Sequence, residues 1–255
     1  VAGGAWEDNL ARAEEMISRA ARQGNTIVVL PECLDLGWMD DSALERALPV
    51  PGPAYERLAC AAQAHSIYVA AGLTERDGDR LYNAAVLIGP DGALLLKHRK
   101  INELHIARHL YSTGRVLAVA ETPVGNIALA VCADLLPEAI AFGHALCEMG
   151  AQLIVSPCAW AVPPDYDNEA EPYGSSWINS YTTLACQHGV STVAASCVGT
   201  INCGPWKGHK VIGASLAVGG NRSILARGPF GEKAEQLLSV DIPLVVNQLA
   251  GKPRS

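Results

Sequence analysis

The sequence lacks the segments that mark membrane-spanning, exported and nucleic-acid-binding proteins. No run of about 18 consecutive apolar residues is present, and a helix needs roughly that length to cross a bilayer. No charged-then-apolar signal segment opens the chain, whose first residue is Val1. Basic clusters do not extend beyond residues 97–100, and the net charge is −7, whereas nucleic-acid binders carry basic surfaces. We therefore expect neither a membrane nor a nucleic-acid partner.

Charged residues are also few, at 18%, whereas hydrophobic residues make up 49% of the chain. This balance excludes an intrinsically disordered protein, because there is ample apolar material for a buried core. The 255 residues fit one large α/β core without a linker. We predict a single domain over residues 1–255.

Cys-x-x-Cys motifs are missing, although the chain has eight cysteines. The cysteines are spread thinly through a large apolar chain, which favours reduced thiols in the cytoplasm over the alternative of a secreted disulfide framework. His105 with His109, and His144 with Cys147, have the spacing of metal ligands. Spacing alone is weak evidence, so we predict packing or surface roles for these residues.

Hydrophobic periodicity predicts an alternation of helices and strands. Apolar residues at helical spacing between residues 8 and 23, followed by Gly24, predict the first helix. The continuous apolar run at 26–30 predicts a strand buried on both faces. This order indicates mixed sheets covered by helices, with the second half a loose echo of the first. The same patterns predict further helices at 54–65, 137–149 and 175–188, and further strands at 67–73, 84–88, 93–97, 127–132, 153–157 and 192–196.

Three polar residues lie at the ends of apolar strands, where α/β sheets commonly bind ligands. Glu32 follows Pro31 after the first strand, Lys100 follows a predicted hairpin, and Cys132 ends another strand. Individually, each has an ordinary explanation as a turn residue, a solvated lysine and a core cysteine. Together they supply what amide cleavage requires, namely a nucleophilic thiol, a carboxylate base and a cation for the developing oxyanion. The backbone N–H of Ala133 is a candidate second oxyanion donor.

Three motifs, which contain Glu32, Lys100 and Cys132 in that order along the chain, resemble those of the nitrilase, or carbon–nitrogen hydrolase, superfamily. Asp134, two residues after Cys132, resembles the amidase and carbamoylase branch rather than the nitrile-cleaving members. The resemblance covers nearly the whole chain. Its elements are VVLPE at 28–32, KHRKI at 97–101, VCAD at 131–134 with Pro137 and Glu138, GAQLIVSP at 150–157, and residues 160–195.

The resemblance implies an α/β fold, a four-layer αββα sandwich of two mixed β-sheets flanked by helices. Glu32 is then the general base, Lys100 the oxyanion stabiliser and Cys132 the nucleophile, which forms a thioester acyl-enzyme. The resemblance also implies no cofactor and no metal. It implies a homodimer or higher homo-oligomer, with helices 137–149 and 175–188 as candidate interfaces. Supporting, oxyanion-stabilising or substrate-binding roles fall to Ala133, Asp134, Glu103 and Trp160.

The chain departs from the superfamily pattern at a second carboxylate. A glutamate is usual seven residues before the glycine that is Gly114 here, but this position is Ala107. Glu103 is the nearest carboxylate, and whether it substitutes is open. A catalytically weak or silent protein, which keeps the fold for binding or assembly, is therefore the alternative to an enzyme.

Two further departures concern the substrate and the first strand. Many relatives that act on carboxylated substrates carry an arginine shortly after the nucleophile, whereas residues 134–137 read DLLP here. A substrate carboxylate therefore lacks its usual partner. The superfamily's usual first strand has no counterpart before residues 4–9, so either residues precede Val1 or the sheet is shortened.

The segment 162–174 is the one unusual loop, since it combines three prolines with four acidic residues. We expect it at the surface, near the mouth of a pocket. Its acids are either a solvated segment or a feature that favours cationic or amine-bearing substrates. The acids are Asp165, Asp167, Glu169 and Glu171.

The sequence thus predicts a cysteine-dependent amidohydrolase that cleaves a linear, non-peptide C–N bond, in an amide or an N-carbamoyl compound. The thioester intermediate would be hydrolysed after ammonia or an amine has left. The expected partners are a small-molecule substrate and water. Specificity depends on loop geometry, so the sequence does not identify the substrate.

Overall fold

The first β-sheet combines one parallel pair with two antiparallel hairpins. The computed structural model describes residues 1–244. In order across the sheet, the strands are β1 (Ile27–Val29), β2 (Tyr68–Asp77), β3 (Arg80–Ile88) and β4 (Leu94–Arg99). β1 runs parallel to β2, while β2, β3 and β4 form an antiparallel meander.

The second β-sheet has six strands, with a parallel centre and antiparallel edges. The remaining strands are β5 (Val119–Thr122), β6 (Gly125–Leu129), β7 (Leu153–Cys158), β8 (Ala161–Val162), β9 (Ser191–Ser196), β10 (Val198–Thr200), β11 (Lys210–Ile212), β12 (Leu216–Val218) and β13 (Ile224–Arg227). The second sheet has the order β13-β12-β9-β7-β6-β5, in which β6 runs parallel to β7 and β7 runs parallel to β9. A small third sheet has the order β10-β11-β8.

Helices cover the outer faces of the two large sheets. The helices are α1 (Trp6–Arg22), α2 (Ala43–Arg46), α3 (Pro53–His65), α4 (Ala141–Glu148) and α5 (Ser175–His188), with 3₁₀ turns at His105–Ala107, Cys132–Leu135 and Pro137–Ala139. Four apolar residues of α1 recur every three or four positions, so they share one face of the helix and are buried: Leu10, Ala13, Ile17 and Ala20.

The layers stack as helix, sheet, sheet, helix. α1 and α3 pack on each other and on the first sheet, while α5 packs on β9 and β12 of the second. Between the sheets, Ala85 and Leu87 of β3 join Leu129 of β6 and Val155 of β7 in one buried apolar cluster. Burial of this apolar surface on both sides of each sheet is the main stabilising term. The predicted αββα sandwich is confirmed.

Most predicted elements are present, with shifted ends. The predicted helix 175–188 coincides with α5, and the predicted hairpin across residues 89–92 joins β3 to β4. The predicted strand 67–73 is longer, because β2 continues to Asp77 and turns back into β3 at Gly78. The predicted helix 137–149 is divided into a 3₁₀ turn and α4.

One predicted strand is wrong in its last residues. The prediction extended it from 127 to 132, but β6 ends at Leu129. Cys132 has a φ of 44°, in the left-handed region, and the chain enters a 3₁₀ turn there. Non-glycine residues rarely adopt this conformation, and they do so mostly at constrained sites. Cys132 therefore lies beyond the strand, on a sharp turn.

Two expectations from composition can be compared with the structure. All eight cysteines lie within the described residues, and each is unpaired. Over residues 1–244, no helix combines the length and apolarity that crossing a bilayer requires.

Gly72 of β2 lies directly against the segment that follows β1. Its N–H donates to Pro31 O at 2.9 Å, and its carbonyl accepts from the N–H of Leu34 at 2.9 Å. A Cβ at this position would lie 2.5 Å from Glu32 Cα and 2.7 Å from Pro31 O. These are backbone atoms that cannot rotate away, so only glycine allows this close approach.

We predict that Gly72→Ala lowers the free energy of unfolding by about 1–3 kcal/mol, the range for overpacking a tight core. Urea denaturation would measure the change. Gly219→Ala is the matched control, because a Cβ there meets only side chains, those of Asn221 and Leu225. Equal stability of the two variants would contradict the assigned contact.

Candidate active site

A cavity of about 410 Å³ opens at the ends of the strands and brings together the three predicted polar residues. Glu32, Lys100 and Cys132 all line it. They come from segments that follow β1, β4 and β6. The sequence placed Glu32 and Lys100 after strands and Cys132 at the end of one, and the fold brings the three residues to one cavity, as expected for an α/β site.

Glu32 is held by its backbone and by two donors to one oxygen. Its N–H donates to Cys158 O at 3.2 Å. Its Oε1 accepts from Asn83 Nδ2 at 2.5 Å and from Lys100 Nζ at 2.7 Å. Within residues 1–244, Oε2 accepts no hydrogen bond from the protein. The carboxylate is therefore oriented through one oxygen, and the other is left to accept a proton.

Lys100 is fixed at the end of β4 from both sides. Its N–H donates to Asn83 O at 2.8 Å, and its carbonyl accepts from Gly114 N at 2.7 Å. The side chain is only 1% exposed. Burial acts to lower the pKa of Lys100, but the negative charges of Glu32 and then Glu103 outweigh it, so this pKa is raised well above its usual range. Lys100 is therefore a permanent cation at the cavity floor.

Cys132 is presented by the turn that follows β6. Its N–H donates to Ser156 Oγ at 3.1 Å, which anchors the left-handed residue to β7. Ser156 Oγ also lies 3.4 Å from Cys158 Sγ. Burial, and then the adjacent Cys132, raise the pKa of Cys158 well above its usual range, so this neighbouring thiol stays protonated.

Asp134 organises the turn rather than lining the cavity. One oxygen accepts from the N–H groups of Ile101 and Asn102, at 3.0 and 2.7 Å. The other lies 2.8 Å from His98 Nε2 and accepts from Val131 N at 3.0 Å. Burial acts to raise the pKa of Asp134, but the contact with His98 outweighs it and the pKa is lowered. The carboxylate thus ties the lysine segment to the cysteine segment.

The side chains of the basic run at 97–100 have different partners, because successive residues of β4 face opposite sides of the sheet. Lys97 and Arg99 point to one face and pair with Glu75, at 2.6 and 2.7 Å. His98 points to the other face, where it meets Asp134. Lys100 follows the strand and turns into the cavity. The basic run therefore contains one residue of the site, Lys100, and three residues that pair with Glu75 or Asp134.

Glu103 lies beneath Lys100, with its Oε2 3.9 Å from Nζ. The residue is 1% exposed, and its oxygens accept no hydrogen bond from the described residues. Burial raises the pKa of Glu103 to about 8, although Lys100 opposes the shift. Ala107 packs in an apolar cluster with Cys33 and Leu36. The carboxyl beside the lysine therefore comes from position 103 and not from position 107.

The other predicted residues fall at the wall or outside the site. Ala133 and Trp160 line the cavity. His105 and His109 are exposed, and His144 hydrogen-bonds to His188 at 2.9 Å rather than to Cys147. Among residues 1–244, no three His, Cys, Asp or Glu side chains form a group able to hold a metal ion.

Sequence reasoning missed Asn83, Ser156 and the aromatic residues of the cavity lining other than Trp160. Asn83 is a fully buried amide in the apolar strand β3, and such isolated polar residues are signals that a bonding partner is near. Segment 162–174 does border the cavity, through Pro163, Tyr166 and residues 171–174. Its predicted position at the mouth of a pocket is confirmed.

Comparison with known sequences agrees with this arrangement. Residues 4–250 match the sequence model of the carbon–nitrogen hydrolase family, so the chain belongs to that family. It is 35% identical over 163 residues to the omega-amidase NIT2 of Danio rerio, a match that spans 60% of this chain and 58% of that protein. It is 29% identical over 248 residues to a nitrilase of Pyrococcus abyssi, covering 95% of this chain and 87% of that protein.

Solved structures share the fold. A carbon–nitrogen hydrolase from Helicobacter pylori G27 superposes with a TM-score of 0.78 at 21% identity, covering 90% of this chain and 83% of that one. A glutamate-to-glutamine mutant of the amidase from Nesterenkonia sp. AN1, in which acrylamide has added to the active-site cysteine, gives a TM-score of 0.77 at 22% identity, covering 94% of this chain and 89% of that one. These identities support the fold alone.

The raised pKa of Glu103 predicts a pH-dependent stability. The unfolded chain releases this proton near pH 4.5, whereas the folded chain keeps it to about 8. The contribution of Glu103 to stability therefore falls as the pH rises from 4.5 to 8. The Gln side chain of the Glu103→Gln variant cannot ionise, so the variant does not lose this contribution. The free energy of unfolding of the variant minus that of the wild type should therefore increase from pH 4.5 to pH 8, by at most about 1.4 kcal/mol per pH unit.

Urea denaturation at pH 5, 6, 7 and 8 would measure this difference. Glu169→Gln, a change at an exposed loop residue, is the control and should track the wild type. A Glu103→Gln curve parallel to the wild type would show that Glu103 is already ionised in the folded protein.

Proposed function

We propose that the protein is a cysteine-dependent amidohydrolase that cleaves a linear, non-peptide C–N bond, in an amide or an N-carbamoyl compound. The observation that carries the proposal is the buried Glu32–Lys100 pair, at 2.7 Å, in the same cavity as Cys132. Membership of the carbon–nitrogen hydrolase family and the names omega-amidase and amidase of similar proteins support amide chemistry.

The first half-reaction acylates Cys132. Glu32 takes the thiol proton, and the sulfur attacks the carbonyl carbon of the substrate. The carbonyl oxygen becomes an oxyanion, which the Lys100 ammonium and the N–H of Ala133 stabilise. The C–N bond then breaks, the proton held by Glu32 passes to the nitrogen, and ammonia or an amine leaves. The product on the enzyme is a thioester.

The second half-reaction uses water in place of the thiol. Glu32, ionised again, takes a proton from water, and the hydroxide attacks the thioester carbon. The same oxyanion donors stabilise the second tetrahedral species. When the C–S bond breaks, the proton returns from Glu32 to the sulfur and the acid is released. No metal or cofactor takes part, and the Cys132 turn returns to its starting state.

Glu103 acts in this scheme through Lys100. When Glu32 carries the thiol proton, Lys100 loses the charge of its nearest counter-ion. Glu103, 3.9 Å away, keeps its own proton to about pH 8, so the oxyanion becomes the counter-ion of the ammonium while the Glu103 carboxyl remains beside it. Glu103 is thus a positioning residue. Its location beside Lys100 supports an active enzyme over the alternative of a silent protein, which rested on the alanine at position 107.

Two further expectations accompany the proposal. A homodimer or higher oligomer would use the faces of α4 and α5, and a cytoplasmic location would suit the eight reduced thiols. Light scattering of the purified chain, with and without charge substitutions on α5, would measure the oligomeric state.

We predict that Cys132→Ala lowers kcat by at least about a thousand-fold, because the nucleophile acts as a unit with its partners. Ammonia release from simple amides would be the assay. Acrylamide adds to the active-site cysteine in a glutamate-to-glutamine mutant of the Nesterenkonia amidase. In this protein it should label Cys132 first among the eight thiols, as located by peptide mass spectrometry.

Cys60→Ser is the control, since Cys60 is exposed on α3, and its turnover should equal that of the wild type. Substantial turnover by Cys132→Ala, or acrylamide spread without preference over the exposed cysteines, would rule out the proposed nucleophile.

A further inference from the structure

Aromatic rings form much of the cavity wall beyond the three reacting residues. Trp160 stacks on Trp177, with centroids 4.9 Å apart, and Tyr173 lies 6.0 Å from Trp160. A second pair, Trp38 and Trp206, meets edge to face at 5.7 Å. All five rings line the cavity. Such walls suit flat or apolar groups, and the volume of about 410 Å³ leaves room beyond the amide itself.

Charge is scarce in the same wall. Of the described residues that line the cavity, Lys100 is the one cation, and its ammonium is already bound to Glu32. Outside the reacting group, Glu171 is the one carboxylate, and it lies exposed at the rim. Leu136 faces the cavity directly after the cysteine turn. A second charge on the substrate would find no opposite charge along the walls.

These features discriminate between acyl groups. A carboxylate that enters loses its hydration, meets the negative faces of the rings and finds no free cation. An ammonium group loses hydration too, and Glu171 at the solvent-exposed rim is screened from it by water and salt. An uncharged aryl group replaces water against the rings at no electrostatic cost.

Resting on the proposed function, we infer that the substrates are amides whose acyl group is uncharged and carries an aromatic ring, and that amides with a second carboxylate are discriminated against. The aromatic wall, and in particular Trp206, selects the acyl group. The apolar Leu136 excludes the carboxylate.

Matched amides test the inference. Ammonia release would give kcat/KM for 4-phenylbutanamide, hexanamide, 6-aminohexanamide and the monoamide of adipic acid. We expect the phenyl compound to be fastest, and hexanamide to exceed both the ammonium and the carboxylate compound by at least ten-fold. A carboxylate or ammonium compound that equals or exceeds hexanamide overturns the inference.

Two variants connect the effect to named residues. Leu136→Arg introduces a cation into the wall and should lower the ratio of hexanamide to adipic monoamide at least ten-fold. Leu44→Arg, on the exposed face of α2, should leave this ratio unchanged. Trp206→Ala, at a half-buried ring, should raise KM for the phenyl compound more than KM for hexanamide. An unchanged ratio in Leu136→Arg, or equal effects of Trp206→Ala on both amides, contradicts the assignment.

Failure of this inference is distinct from failure of the proposed function. If the carboxylated amide is the better substrate, hydrolysis and labelling of Cys132 remain and only the selectivity is wrong. If no amide releases ammonia and acrylamide does not label Cys132, the amidohydrolase itself is wrong, and the selectivity falls with it.

Discussion

The ion pair between Lys100 and Glu32 is the constraint on which the site depends. Both side chains are 1% exposed and their charged atoms are 2.7 Å apart. Removing two ions from water is expensive, and their attraction compensates only if the geometry is close and the remaining lone pairs are bonded. Asn83 supplies the additional donor to Glu32. Loss of either partner would leave an uncompensated charge in the interior, so a single substitution at either position should lower the free energy of unfolding.

Much of the surrounding structure keeps this pair in register with the cysteine. Gly72 allows β2 to approach the glutamate segment, and Gly114 N bonds to the carbonyl of Lys100. Asp134 joins the backbone of residues 101 and 102 to the turn that carries Cys132. Hydrogen bonds to backbone groups, from backbone or side-chain partners, thus connect segments that are distant in sequence. A site supported in this way is held more precisely than one on flexible loops. The left-handed turn at Cys132 is held by the same network.

Hydrophobic periodicity, which is local, predicted mixed sheets covered by helices, and the family resemblance implied their four-layer αββα arrangement. The sequence also selected Glu32, Lys100 and Cys132, since a polar residue after a strand buried on both faces is conspicuous. The turn at Cys132 was not predictable, because it depends on partners distant in sequence: Cys132 N–H donates to Ser156 of β7, and Asp134 accepts from the N–H groups of Ile101 and Asn102. For the same reason the sequence selected Lys100 from the run 97–100 but did not show that its neighbours pair with Glu75 and Asp134. Partners distant along the chain decide such details.

Position 107 carries alanine where the resemblance implies a glutamate. This alanine packs in an apolar cluster, while the carboxyl of Glu103 lies 3.9 Å from the ammonium of Lys100. The central claim remains that Glu32, Lys100 and Cys132 act as one unit. A double-mutant cycle tests it most directly: the rate of alkylation of Cys132 by iodoacetamide, measured in the wild type, Glu32→Gln, Lys100→Met and the double variant, each checked for folding. The account predicts that the double variant reacts about as slowly as the slower single variant; losses that multiply would contradict it.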